Sequence, residues 1–152
     1  MTDGKLYFSA NGDELKGFNI LDGLGLKLLQ KSGVEVAFIT GRNSPLTTKR
    51  ANDLGIKHLI QGREDKKIAL QELASTLDIP LGQTAYIGDD LPDLGAIKIA
   101  GLGITVANGY EFVKMHADWC SNKKGGDGAV REICDMILDA KGVKEQLLHA
   151  FL

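Results

Sequence analysis

The chain has 152 residues, 43% of them hydrophobic and 25% charged, with 18 basic against 20 acidic side chains. That balance lacks the basic excess of a nucleic-acid surface, and the composition is that of a folded globular protein rather than a disordered one. No run approaches the ~20 apolar residues that span a bilayer, so no membrane partner is expected. A single domain, residues 1–152, fits this length, with roughly 68–70% of the unfolded surface buried. The opening Met-Thr-Asp-Gly-Lys has no charged region followed by an apolar one, so no secretory signal is expected. Cys120 and Cys134 fit reduced thiols in the cytoplasm better than a disulfide framework. Glycine is in excess, 19 residues, and predicts many tight turns.

Residues 1–20 stand apart from the rest. Leu6-Tyr7-Phe8, Ser9 to Asp13, and Leu15 to Phe18 predict a β-hairpin closed by an Asn11-Gly12 turn. From there amphipathic segments alternate with short apolar runs, the rhythm of a parallel α/β sheet flanked by helices. Asp22 is the expected cap of a first helix ending at Gly33. Val34–Ile39 predicts a buried strand. Ser44-Pro45 opens a second helix that Gly55 ends. Lys57–Ile60 is a short strand, and Asp65 opens a third helix carrying Ile68, Leu70, Leu73 and Leu77 at helical spacing. Thr84–Ile87 predicts another strand, a helix begins near Leu91, and Gly103–Val106 follows as a strand. A short helix near Tyr110 and a weak strand at Asp118–Cys120 lead into a helix over 128–140. Residues 141–152 form a tail. The hairpin cannot join the parallel pattern and must project from it.

Three polar loops follow predicted parallel strands, where open α/β sheets bind ligands. In Thr40-Gly41-Arg42-Asn43-Ser44, a hydroxyl, a glycine and an arginine precede a helix N-terminus, which suits an oxyanion; it reads equally as a βα turn with a surface arginine. Arg50 lies near the same helical face. In Gly62-Arg63-Glu64-Asp65-Lys66, a first-turn lysine could aim at an anion over the strand ends, although a charged, capped helix start explains the residues as well. In Gly88-Asp89-Asp90-Leu91-Pro92-Asp93, adjacent carboxylates repel unless a cation or hydrogen bonds compensate, and hard oxygens of this kind suit Mg²⁺. The scattered histidines form no ligand cluster, and the Lys123–Gly128 turn reads as a plain flexible loop.

Taken together, these residues resemble the haloacid dehalogenase superfamily of aspartate-nucleophile phosphatases. Within it, the resemblance is to the 3-deoxy-D-manno-octulosonate 8-phosphate phosphatases of lipopolysaccharide sugar synthesis. Its carriers are Thr2–Phe8 with the hairpin, Phe18–Gly23, Ile39–Pro45, Gly62–Lys66, Gly88-Asp89-Asp90 and Gly125–Glu132. The resemblance implies a Rossmann-like parallel sheet with a projecting oligomerisation hairpin (1–20), a homotetramer, Mg²⁺ as cofactor and a sugar-acid phosphomonoester as substrate. By the same resemblance, Thr40 bonds the transferring phosphoryl group and Lys66 neutralises it. Asn19, Asp22, Gly23, Gly41, Arg42 and Arg50 line the substrate, and Asp89, Asp90 and Asp93 make the metal loop.

One family feature is missing from residues 1–152. The family's Asp-x-Asp-Gly strand comes just before the Thr-Asp-Gly that opens the hairpin, and Met1 stands where its final hydrophobic residue belongs. The expectation is therefore a chain without its nucleophile and first strand, inactive as written. The alternative is a non-catalytic, oligomeric phosphatase-like protein. Leu21, where the octulosonate phosphatases usually carry arginine, and Asp127, in a loop that is often basic, depart from the pattern as well.

Overall fold

The computed structural model of the chain describes all of residues 1–152. Strands β1 (Tyr7–Phe8) and β2 (Glu14–Leu15) form the expected antiparallel hairpin, with Tyr7 opposite Leu15 and Phe8 opposite Glu14. Its turn differs from the two-residue Asn-Gly type. Ser9 N donates to Asp13 O at 2.9 Å and Gly12 N to Ser9 O at 3.0 Å, which leaves a three-residue loop. Gly12 takes the left-handed conformation, φ 87°, that such loops require. Leu6, Tyr7, Phe8 and Leu15 remain exposed on this arm.

Beyond the hairpin, helices and strands alternate as α1 (Ile20–Lys31), β3 (Ala37–Ile39), α2 (Pro45–Leu54), β4 (His58–Ile60), α3 (Lys66–Thr76), β5 (Ala85–Ile87) and α4 (Leu91–Ile99). The chain ends with β6 (Leu102–Thr105), α5 (Glu111–Lys114), β7 (Trp119–Cys120), α6 (Ala129–Ala140) and α7 (Lys144–His149). The cap of α1 is Asn19 rather than Asp22. Its Oδ1 accepts from Leu21 N at 2.8 Å and Asp22 N at 3.3 Å, and Asp22 falls inside the first turn. Ser44 precedes α2 as expected, and Gly55 closes that helix at φ 69°, but the Ser44 hydroxyl makes no cap bond. Asp78, at φ 55°, makes the turn after α3.

All the α/β strand pairings are parallel, but they form two sheets. β3 pairs with β4, and β6 lies between β5 and β7. β3 and β5 therefore have one ladder neighbour each. Side chains on β3 follow the two-residue period of a strand: Phe38 packs on one core and Ile39 on the other. The first core holds Leu26, Leu28 and Leu29 of α1, Ala51 and Leu54 of α2, and Val130, Cys134 and Leu138 of α6. The second holds Leu70 of α3, Tyr86 of β5, Ala96 and Ile97 of α4, and Val113 of α5. Both cysteines are free, and burial pushes the Cys134 thiol up to about 12, which keeps it protonated and unreactive. No helix is long and apolar enough to cross a membrane.

Because Leu28 is 1% exposed at the centre of the first core, Leu28→Ala leaves a cavity. Urea unfolding should show a loss of about 2–5 kcal/mol. Lys27→Ala, on the exposed face of the same helix, should stay within about 0.5 kcal/mol of the parent.

Candidate active site

The loops after β3, β4 and β5 supply the side chains anticipated for chemistry, and one carboxylate ties the second of these to the third. Asp93, in the first turn of α4, is buried and takes four donors. Lys66 Nζ reaches its Oδ1 at 2.7 Å and the Tyr86 hydroxyl reaches the same oxygen at 3.0 Å. The backbone N–H groups of Asp89 and Asp90 donate to Oδ2 at 3.2 and 3.3 Å. This approach needs Gly88, because a Cβ there would overlap the Asp93 side chain. Burial, with Asp93 beside it, pushes the Tyr86 phenol far above its usual range, so Tyr86 remains a neutral donor.

The expected three-acid metal loop is not assembled. Both oxygens of Asp93 are occupied by protein donors. Asp90 caps α4, accepting from Leu91 N at 2.8 Å within a reciprocal capping box with Asp93. No three His, Cys, Asp or Glu side chains converge to hold a metal ion. Asp89 alone keeps its carboxylate free of protein hydrogen bonds, while its backbone oxygen accepts from Tyr110 N at 2.8 Å. Burial first, and the Asp93 charge second, raise the Asp89 carboxyl above its ordinary value, against the pull of Lys66 and the N-terminus. A cation would relieve both causes. Mg²⁺ is often bound through only one or two protein carboxylates, with water and phosphate filling its shell. Asp89 therefore fits one carboxylate position of such a site.

Thr40 stands at the end of β3, its N–H bonded to Ile60 O at 2.9 Å and its hydroxyl accepting from Arg42 N at 3.3 Å. Gly41 lies beneath the Glu64 side chain, which a Cβ would strike. Arg42 is 53% exposed, with Nη2 3.5 Å from Glu14 Oε1. Arg50 points back to the start of α1, donating from Nη2 to Asn19 O at 3.0 Å, over the Phe18 ring at 5.7 Å. Its Nε is buried without a partner. Gly23 sits under that guanidinium, where a Cβ would collide with it. Asn19 adds a bond from Nδ2 to Gly126 O at 3.3 Å.

Asp22 does not line a cleft. It is completely buried, and its Oδ1 accepts from Arg131 N at 3.0 Å. It therefore caps α6 from α1, where Gly128 has no side chain to do so. The substrate contact expected of Asp22 is thereby replaced by a tertiary helix cap.

Sequence reasoning missed Tyr86, Asn108 and Glu132. A tyrosine on a buried strand needs a partner for its hydroxyl, and that was the available signal for Tyr86. The other two fasten the loop at 121–128. Gly125 N donates to Asn108 Oδ1 at 2.7 Å. Glu132 accepts from the Ser121 hydroxyl, and from Asn122 N and Nδ2 at 2.9 and 3.0 Å. The turn read as a plain flexible loop is thus bolted down, with Gly126 against Thr2 and Asp3.

Comparison with known proteins agrees with this fold. Residues 58–133 match the haloacid dehalogenase-like hydrolase family. The 3-deoxy-D-manno-octulosonate 8-phosphate phosphatase of Yersinia pestis is 47% identical over 141 residues, 93% of this chain and 75% of that protein. The crystal structure of the Moraxella catarrhalis phosphatase of that name, in complex with magnesium ion, phosphate ion and KDO, superposes with a TM-score of 0.97 at 46% identity. That match covers 99% of this chain and 87% of the other. The cobalt-bound Haemophilus influenzae enzyme gives a TM-score of 0.90 at 42% identity, over 94% of this chain and 84% of its own.

The raised Asp89 carboxyl predicts a pH signature. A pKa that rises on folding makes the native state hold the proton more tightly, so its stabilising share is complete at acid pH and lost as pH climbs through the raised value. Asp89→Asn should therefore melt higher than the parent at pH 7, and the difference should vanish as pH falls below the ordinary carboxylate range. A gain that persists unchanged at acid pH contradicts this assignment. From its sequence, site geometry and relatives, the chain belongs to the haloacid dehalogenase-like hydrolases, among the 3-deoxy-D-manno-octulosonate 8-phosphate phosphatases.

Proposed function

We propose that this fold serves the Mg²⁺-dependent hydrolysis of a sugar-acid phosphomonoester, 3-deoxy-D-manno-octulosonate 8-phosphate, in the cytoplasm. We further propose that residues 1–152 by themselves hold the binding part of the site and not a complete catalyst. The observation that carries this reading is the Lys66–Asp93 pair at 2.7 Å beside the free Asp89 carboxylate. It supplies an ammonium suited to a phosphate and, near it, a carboxylate suited to a cation.

A phosphate dianion repels an approaching nucleophile, so catalysis depends on neutralising charge and fixing position. Lys66, anchored by Asp93, offers its remaining N–H donors to phosphoryl oxygens. The Thr40 hydroxyl accepts from Arg42 N and can donate its own proton to a phosphoryl oxygen. Asp89 would hold Mg²⁺, which as a Lewis acid supplies further neutralisation of the phosphoryl group. Arg42 supports recognition of the acid, and Asn19 and Arg50 shape the wall at the start of α1. In this reading Asp89 is given to the cation, Asp90 caps α4, and Asp3 accepts from the Tyr7 hydroxyl at 2.7 Å and Lys5 N at 3.0 Å, so no nucleophile is assigned to these carboxylates. The exposed Leu6, Tyr7, Phe8 and Leu15 of the hairpin, with the 141–152 tail, support assembly into a homotetramer through covered apolar edges.

Phosphate release from p-nitrophenyl phosphate and from octulosonate 8-phosphate, measured with Mg²⁺, should be indistinguishable for this chain and its Asp89→Ala variant. Turnover clearly above that control contradicts the missing nucleophile. Placing an Asp-x-Asp-Gly strand ahead of Met1 should create turnover that favours octulosonate 8-phosphate. Equal rates on both esters contradict the substrate.

A further inference from the structure

Glu14 is a carboxylate on the hairpin whose partners lie on two different parts of the fold. Oε1 accepts from Lys16 Nζ at 3.1 Å on the same arm, while Oε2 accepts from the Ser44 hydroxyl at 3.3 Å, thirty positions away. Arg42 Nη2 stands 3.5 Å from Oε1. Ser44 is 3% exposed and occupies the cap position of α2, yet its hydroxyl goes to Glu14 instead of to the helix. Its N–H is also committed, donating to Gln61 Oε1 at 3.0 Å, and Gln61 Nε2 donates in turn to Thr48 at 2.9 Å. The loop at 40–44 is thus fixed from both sides, by β4 through Gln61 and by the hairpin through Glu14.

The charges at this junction do not cancel. Lys16 and Arg42 bring two positive charges to one carboxylate. Lys16, 14% exposed, is the closer and more enclosed partner, and its bond is the main cause that holds the Glu14 carboxyl below its usual range. Arg42 is paired loosely through one nitrogen and is 53% exposed. A guanidinium has five N–H donors in a fixed fork, so its other donors remain open to a planar anion. A carboxylate ligand suits that fork in bidentate geometry.

We propose that Glu14 is a positioning residue: it clips the hairpin to the 40–44 loop and holds Arg42 ready for the carboxylate of an acidic sugar. The ligand in this statement rests on the phosphatase reading above, whereas the clip rests on geometry alone. Hairpin placement and acid recognition are then one mechanical unit, and selectivity for an acid over a plain phosphate ester begins at an arm outside the parallel sheets.

Glu14→Gln keeps the shape of the side chain and an acceptor for Ser44 while removing the charge that holds the two cations. Titration calorimetry of 3-deoxy-D-manno-octulosonate should show affinity about tenfold weaker in the variant, the scale of one charge-assisted hydrogen bond. Inorganic phosphate should bind within about twofold of the parent, since Lys66 and Thr40 are untouched. Glu14→Ala, which removes the Ser44 acceptor as well, should speed amide hydrogen exchange in residues 5–18 and 40–46 together. Tighter octulosonate binding in Glu14→Gln overturns the proposal, because Glu14 would then be a competitor for Arg42. Equal losses for both ligands, or exchange that rises in the hairpin alone, also overturn it. If the parent binds no octulosonate, the phosphatase reading fails, and the paired exchange response still decides whether the clip exists.

Discussion

Asp93 is one carboxylate with four donors, and the site depends on it. Lys66 comes from the start of α3, Tyr86 from β5, and the Asp89 and Asp90 amides from the loop that joins β5 to α4. An ion pair this enclosed, with side chains 15% and 7% exposed, is costly to break from one side. Removing a single partner of a buried pair costs roughly 3–5 kcal/mol, because the other charge is left without compensation. The same network aims the Lys66 ammonium and tightens the Asp89 loop. Stability and chemistry therefore draw on the same atoms. Asp89, by contrast, accepts no hydrogen bond from the protein, and partial burial beside the Asp93 charge raises its carboxyl above the ordinary value where a cation would be useful.

Around that hub the molecule is built from two cores. One lies under α1, α2 and α6 and the other under α3, α4 and α5. β3 serves both, with alternate side chains facing opposite ways. No ladder joins β3 to β5, so side-chain packing and loop contacts hold the halves together. Asp22, buried in α1, ties α6 to the first half through Arg131 N. Glu132 and Asn108 then fix the 121–128 loop against the opening residues. The exposed hairpin is fastened at its base by Glu14, so its apolar surface is presented in a defined place rather than left free to pair at random.

Local punctuation was the most legible part of the sequence. Ser44-Pro45, Gly55, Asp65 and the apolar runs placed the strands and helices close to where they lie, because caps, proline and glycine act through neighbouring backbone groups. The roles of individual polar side chains were less legible, because their partners are distant in the chain. Ser44 sits at the expected cap position, but its hydroxyl goes to a residue thirty positions earlier. Asp22 resembles a cap for α1 and instead caps α6, more than a hundred residues on. Asp89, Asp90 and Asp93 looked like three metal ligands. Only the fold shows that Lys66 and Tyr86 claim one and that α4 claims another. Strand order was no more legible, since alternation of strands and helices says nothing about which neighbours pair.

The central claim is that the loops at 40–44 and 88–93, together with Lys66, form one site for a phosphorylated sugar acid. Nuclear magnetic resonance tests it most directly, by titrating Mg²⁺ and then octulosonate 8-phosphate into isotope-labelled chain. The account predicts saturable shifts with one affinity at the amides of Gly41, Arg42, Lys66, Asp89 and Asp90. Shifts confined to the charged groove beside Asp135, Asp139 and Lys144, with the strand-end loops unmoved, would contradict it.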